Sequence, residues 1–175
     1  VKRAVVVYES MYGNTRAVAD AIGQGLGTVD EVVVVPVAEA APELLASADL
    51  VVVGAPTHVH GLPRPTTRKA AAEAAAAGAT DLVLEPAARG PGVREWLASL
   101  GPVSARAAAF DTRVRGPAAL TGRASHPISR GLRRHGLREL GAPESFFVTR
   151  DNDLEPGEES RAREWGVRLA ASLAR

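Results

Sequence analysis

The β-branched run Val5-Val6-Val7 stops at Tyr8, and a helical pattern follows almost at once. Val18, Ile22 and Leu26 recur at i, i+4 and i+8, with Ala17 and Ala21 beside them. A strand, a tight turn and a helix at the start of a chain open a doubly wound α/β domain. The turn between them suits an anion. Ser10, Tyr12, Asn14 and Thr15 bring hydroxyls and an amide, and Gly13 lets the backbone come close. The first N–H groups of the helix point back into the turn, where the helix dipole favours negative charge. Residues 10–15 therefore read as a phosphate cradle. No Gly-Lys-Ser/Thr closes the turn, so it is not a Walker loop, and the spacing Gly-x-Gly-x-x-Gly is absent. Gly23, Gly25 and Gly27 fall at the far end of the helix, where glycine is a stop. A plain polar turn with a helix cap explains the same residues, so on the residues alone both readings stand.

The same alternation continues along the chain. Strands are expected over residues 2–8, 31–37, 50–54 and 106–110. Residues 137–140 and 145–148 form a fifth strand, or a pair broken by Gly141 and Pro143. Helices are expected over 15–26, 42–48, 66–77, 91–100, 125–135 and 159–174. Ser125 would cap the fifth of these, with Pro127 in its first turn. Loops cover 55–65, 78–90, 111–123 and 151–158. The nearly continuous valine runs are those of central parallel strands covered on both faces. The expected fold is α/β, a doubly wound five-stranded parallel sheet of order 2-1-3-4-5, in one domain over residues 1–175. Its ligand crevice lies at the C-terminal ends of the first, third and fourth strands.

Composition narrows the chemistry. There is no cysteine, which excludes disulfides, thiol redox chemistry, Cys-ligated zinc and iron–sulfur clusters. A redox role would need a bound cofactor. No leader peptide or membrane span is read in the sequence, so a cytoplasmic location is expected. Net charge is only +1, but its distribution is uneven. Arg106, Arg113, Arg115, Arg123, Arg130, Arg133, Arg134 and Arg138 stand against Asp111 alone in residues 106–138. This segment is either a solvated face or a positive surface for an anionic ligand or partner.

The stretch Tyr8-Glu9-Ser10-Met11-Tyr12-Gly13-Asn14-Thr15 resembles the phosphate loop of the flavodoxin-like family, usually Ser/Thr-x-Thr-Gly-Asn-Thr. Its Ser-Met-Tyr-Gly form is similar to that of flavodoxin-like quinone reductases, with Tyr12 where small flavodoxins carry Thr. Gly54-Ala55-Pro56-Thr57 resembles the family's second loop. The resemblance implies FMN as cofactor. Ser10, Met11, Tyr12, Gly13, Asn14 and Thr15 would hold the phosphate. Pro56, Thr57, His58, Val59, His60 and Gly61 would border one side of the flavin ring. Phe110, Asp111, Thr112, Arg113 and Arg115 would border the other. Arg113 or Arg115 would raise the flavin potential by favouring the reduced anion, and no side chain need act as acid or base.

Two departures bear on the activity that the resemblance implies. Carrier flavodoxins usually stack Tyr or Trp on the ring from the third loop, and they are strongly acidic. Residues 111–116 hold no aromatic and this chain is not acidic. The implied function is electron transfer or quinone- or flavin-dependent oxidoreduction, an NAD(P)H–quinone enzyme being one form. The expected partners are FMN and a quinone or redox protein, not nucleic acid or a membrane; oligomeric state stays open, a homodimer included. The alternative is a flavin-free module of the same fold that docks an anionic partner through residues 106–138.

Other signals are weaker. His58-x-His60 is half a metal site without evident third and fourth ligands, so no metal is expected. Trp96 and Trp165 read as packing residues, and His126 and His135 as residues of an exposed helix. A receiver domain needs an acidic cluster after the first strand and an acceptor Asp after the third, where this chain has Glu9 alone and Gly54-Ala55. No Gly-x-Ser-x-Gly elbow appears.

Overall fold

The valine runs form the centre of a parallel sheet. The computed structural model describes residues 1–58, 61–78 and 82–175. Its strands are β1 (Arg3–Tyr8), β2 (Glu31–Pro36), β3 (Leu50–Pro56), β4 (Arg106–Val114), β5 (Arg138–Glu139) and β6 (Glu144–Val148). The order is β2-β1-β3-β4-β5, with β6 also paired to β4, and these strands pair with one another in parallel. The broken pair at the fifth position is real. β5 pairs with Arg106 and Ala107, and β6 with Phe110–Val114. The chain steps between them at Gly141, whose φ of 113° is left-handed, and at Pro143.

The helices are α1 (Asn14–Gly25), α2 (Pro42–Ala46), α3 (Pro65–Ala76), α4 (Val93–Ser99), α5 (Ala118–Thr121), α6 (Ser125–Arg134) and α7 (Glu158–Leu173). Strand alternation divides the core into two layers. Val5, Val7, Val51 and Val53 face Trp96 and Leu97 of α4 and Ile128 and Leu132 of α6. Val6, Val52 and Phe110 face Val18 and Ile22 of α1 and Trp165 and Leu169 of α7. Phe110, Phe146 and Trp165 meet edge to face, with centroids 6.0 to 6.3 Å apart. Such pairs add about 0.5–1.5 kcal/mol each beyond burial. Trp96 is buried as expected, its Nε1–H donating to the Ala40 carbonyl at 3.0 Å.

Two expectations are corrected at the C-terminal edge of the sheet. The third and fourth strands run on past residues 54 and 110, to Pro56 and Val114. Asp111, Thr112 and Arg113 are therefore ladder residues, not loop. The cause is β6, which supplies β4 with a partner along its far half. Ser125 is the first residue of α6 rather than its cap. Asp111 Oδ2 accepts the Ser125 N–H at 2.8 Å, and Thr57 Oγ1 accepts the Ala124 N–H at 3.0 Å. The sheet itself caps this helix.

Helices α1 and α7 approach closely through glycine. A Cβ on Gly166 would lie 2.4 Å from the Ile22 carbonyl oxygen and 3.0 Å from Gly25 Cα. Backbone atoms inside a helix cannot step aside. Gly166→Val is expected to cost about 3 kcal/mol through overpacking, read as a lower urea midpoint with circular dichroism; an unchanged midpoint would show that the two helices are free to separate.

Candidate functional site

The C-terminal edge of the sheet carries a cleft of about 130 Å³. Its first wall is the turn after β1. Gly13 precedes α1 with φ 100°, a left-handed conformation that other L residues rarely adopt. The Gly13 N–H donates to Ser10 Oγ at 3.1 Å, which folds the turn back on itself. Ser10 and Thr15 are buried, and Tyr12 anchors the turn to α3 through a 3.1 Å hydrogen bond from its hydroxyl to the Ala71 carbonyl. Ser10, Met11, Tyr12, Asn14 and Thr15 line the cleft. The leading N–H groups of α1 have no acceptor within the helix, as at any helix start.

The second wall follows β3. Pro56, Thr57 and His58 line the cleft. His58 and Gly61 exchange backbone hydrogen bonds of 2.8 and 3.0 Å. Gly61 does not line the cleft, and Val59 and His60 lie outside the described residues. The third wall is the extended end of β4, where Thr112 and Arg113 line the cleft with Val114. Thr112 ties the walls together. Its Oγ1 shares a 2.8 Å hydrogen bond with Thr15 Oγ1, and its carbonyl accepts the Thr57 N–H at 2.8 Å.

Three of the residues expected around a flavin ring sit elsewhere. Phe110 is fully buried among Phe146 and Trp165, because strand alternation turns it away from the α6 side. Asp111 has no exposed surface and holds the start of α6. Arg115 pairs with Glu155 at 2.6 Å and lies over the Phe147 ring. Arg113, by contrast, is buried beside the cleft. Its Nη1 donates to the Gly116 carbonyl at 3.0 Å and to Thr121 Oγ1 at 2.7 Å, so it shapes the segment after β4. Burial works against its charge, and Asp111, 4.0 Å away, works for it. The arginine-rich segment is thus not one surface: Arg113 turns inward, while Arg115 and Arg133 are paired with Glu155 and Glu139.

Val148 and Asn152 also line the cleft, and sequence reasoning missed both. Asn152 takes φ 65° in the turn after β6, and its carbonyl accepts Asn14 Nδ2–H at 2.6 Å. Its own Nδ2 is buried without a partner. The available signal was the Asp151-Asn152-Asp153 turn, since Asn tolerates the left-handed region.

Glu9, next to the cradle, serves the fold. Its Oε2 accepts the Val93 N–H at 2.9 Å and its Oε1 lies 3.6 Å from Arg68, which also bonds Glu95 at 2.9 Å. Burial raises the Glu9 pKa against both partners. Among the described residues no group of three His, Asp or Glu side chains forms a metal site, and no helix is long and apolar enough to cross a membrane.

The flavodoxin family model matches residues 6–95, which include the first two walls. The chain belongs to the flavodoxin family. As a flavodoxin-family chain it is an FMN-binding electron-transfer protein. Solved structures agree on the fold along its whole length. A flavodoxin from the domain Archaea shares 20% identity over 99% of each chain, at a TM-score of 0.68. Oxidised flavodoxin 1 from Bacillus cereus shares 15% identity over 97% of this chain and 98% of its own, at 0.66. A flavodoxin, WrbA-like protein from Agrobacterium tumefaciens shares 16% over 99% of this chain and 98% of its own, at 0.59. No curated protein matches the sequence.

The cleft fits the phosphate end of FMN. The Asn152 amide, unpartnered among the described residues, the Ser10 and Thr15 hydroxyls and the helix start are donors for an anion, and the left-handed Gly13 lets the turn fold back against the helix start. Its volume lies below the roughly 300 Å³ at which pockets enclosing a whole ligand begin. It therefore encloses one end of such a molecule.

His58 carries a pH signature. Burial, and then the Arg68 charge, lower its pKa from the ordinary value. The unfolded chain thus binds the proton more readily, and stability falls as pH drops below about 6.5. The urea midpoint is expected to fall between about pH 7 and 5.5, and His58→Gln should remove that part of the slope. An identical slope in the variant would contradict this.

Proposed function

We propose that this flavodoxin-family chain is an FMN-dependent oxidoreductase that passes electrons from a reduced nicotinamide donor to a quinone. The observation that supports this reading is the third wall: it is lined by Thr112, Arg113 and Val114, without the aromatic that carrier flavodoxins stack on the ring, so a bound flavin would keep a ring face open to a second substrate. A net charge of +1 supports the same reading, since carrier flavodoxins are strongly acidic.

Bound FMN would supply one- and two-electron redox chemistry. The chain's own residues do the rest. Ser10, Asn14, Thr15 and Asn152 orient the phosphate, and the Thr15–Thr112 hydrogen bond keeps the first and third walls in register. Met11, Pro56 and Val148 give apolar contact above the cradle. The Arg113 charge, held in place by Gly116 and Thr121, favours negative charge in the cleft.

Two measurements test the reading. FMN-loaded protein should show saturable NADPH-dependent quinone reduction above the rate of free FMN; a rate equal to that of free FMN would leave a carrier. Asn152→Gly keeps the left-handed turn and removes the orphaned amide. It should weaken FMN binding about tenfold, the order of one hydrogen bond to a charged group, as read by flavin fluorescence quenching. Unchanged affinity would remove Asn152 from the site.

A further inference from the structure

A second concavity neighbours the cofactor cleft through the backbone hydrogen bonds between His58 and Gly61. His58 lines the cleft, and Gly61 lines a wider groove of about 540 Å³. That volume lies within the range of small-molecule sites, roughly 300–1,000 Å³. The groove gathers positive charge from three elements: Arg94 on α4, Arg123 ahead of α6, and Arg130 on α6. Among the described residues no acidic side chain lines it. Among the described residues none of these arginines has a carboxylate partner, although Arg3, Arg16, Arg68, Arg115, Arg133 and Arg161 all do.

Arg94 is held in place. Its Nη2 donates to the Leu62 carbonyl at 2.9 Å and its Nε to the Pro63 carbonyl at 3.3 Å. Arg123 and Arg130 are exposed. Like charges brought together without a counter-ion repel, and a bound anion turns that repulsion into attraction. Leu62 and Pro127 add apolar surface beside the charges.

We propose that this groove binds a small phosphorylated organic anion, with its phosphates on Arg94, Arg123 and Arg130 and its apolar part against Leu62 and Pro127. A guanidinium fork matches phosphate oxygens in pairs, which a scattered solvated face would not exploit. The site is separate from the phosphate cradle and does not rest on the quinone reading.

The test is calorimetric titration of FMN-saturated protein with ADP, and with adenosine as the uncharged control. One ADP per chain should bind and adenosine should not. Arg123→Ala with Arg130→Ala should weaken ADP about 100-fold, near tenfold per charge-assisted contact. FMN quenching should stay unchanged, since neither residue lines the cofactor cleft. Absence of ADP binding at millimolar concentration and low salt overturns the proposal, as does equal affinity in the double variant. If the protein binds no FMN, the same titration of the protein as purified, with the same double variant, still decides the matter.

Discussion

Thr112 is where the functional edge of this protein is held together. Its backbone lies in a ladder between Pro56 of β3 and Phe146 of β6, its carbonyl takes the Thr57 N–H, and its hydroxyl meets that of Thr15. Three chain segments far apart in sequence thereby converge on one residue, through its side chain and its backbone. Parallel strands end together, and each crossover begins a helix at that same end. Helix N-termini and buried hydroxyls are therefore gathered on one edge by topology before any ligand is considered.

The same edge stabilises its helices from the sheet. Asp111 and Thr57 hold the start of α6, and Glu9 holds the start of α4. These residues look like site residues in sequence, being polar and placed just after strands. Their side chains are already committed to backbone N–H groups. A carboxylate removed from water needs such partners, because an unpaired buried charge costs several kcal/mol. Of these three only Thr57 lines the cleft, beside the hydroxyls of Ser10, Thr15 and Thr112, the amides of Asn14 and Asn152, and Arg113.

Most of the architecture was legible because its signal is local. Valine runs alternating with helical periods indicate a doubly wound sheet, and Gly141 with Pro143 marks the break between β5 and β6. The first wall was legible because the whole motif lies within a few residues. The end of β4 was not. Its length depends on β6, more than thirty residues further on in sequence, and pairing at that distance leaves no local trace. For that reason Asp111 read as a loop residue, although it caps a helix, and Phe110, expected at the strand end beside a flavin ring, belongs to the core. Asn152 was missed for the complementary reason: it reaches the cleft only once β6 has docked beside β4.

The central claim is that the turn after β1 and the first turn of α1 hold a phosphate. The most direct test compares FMN with riboflavin, which lacks only that group, by fluorescence quenching of the apo-protein. Several charge-assisted hydrogen bonds, each contributing about 1.5–3 kcal/mol, should make riboflavin bind at least about 100-fold more weakly. Equal affinities would contradict the account, because the cradle would then contribute nothing to holding the cofactor.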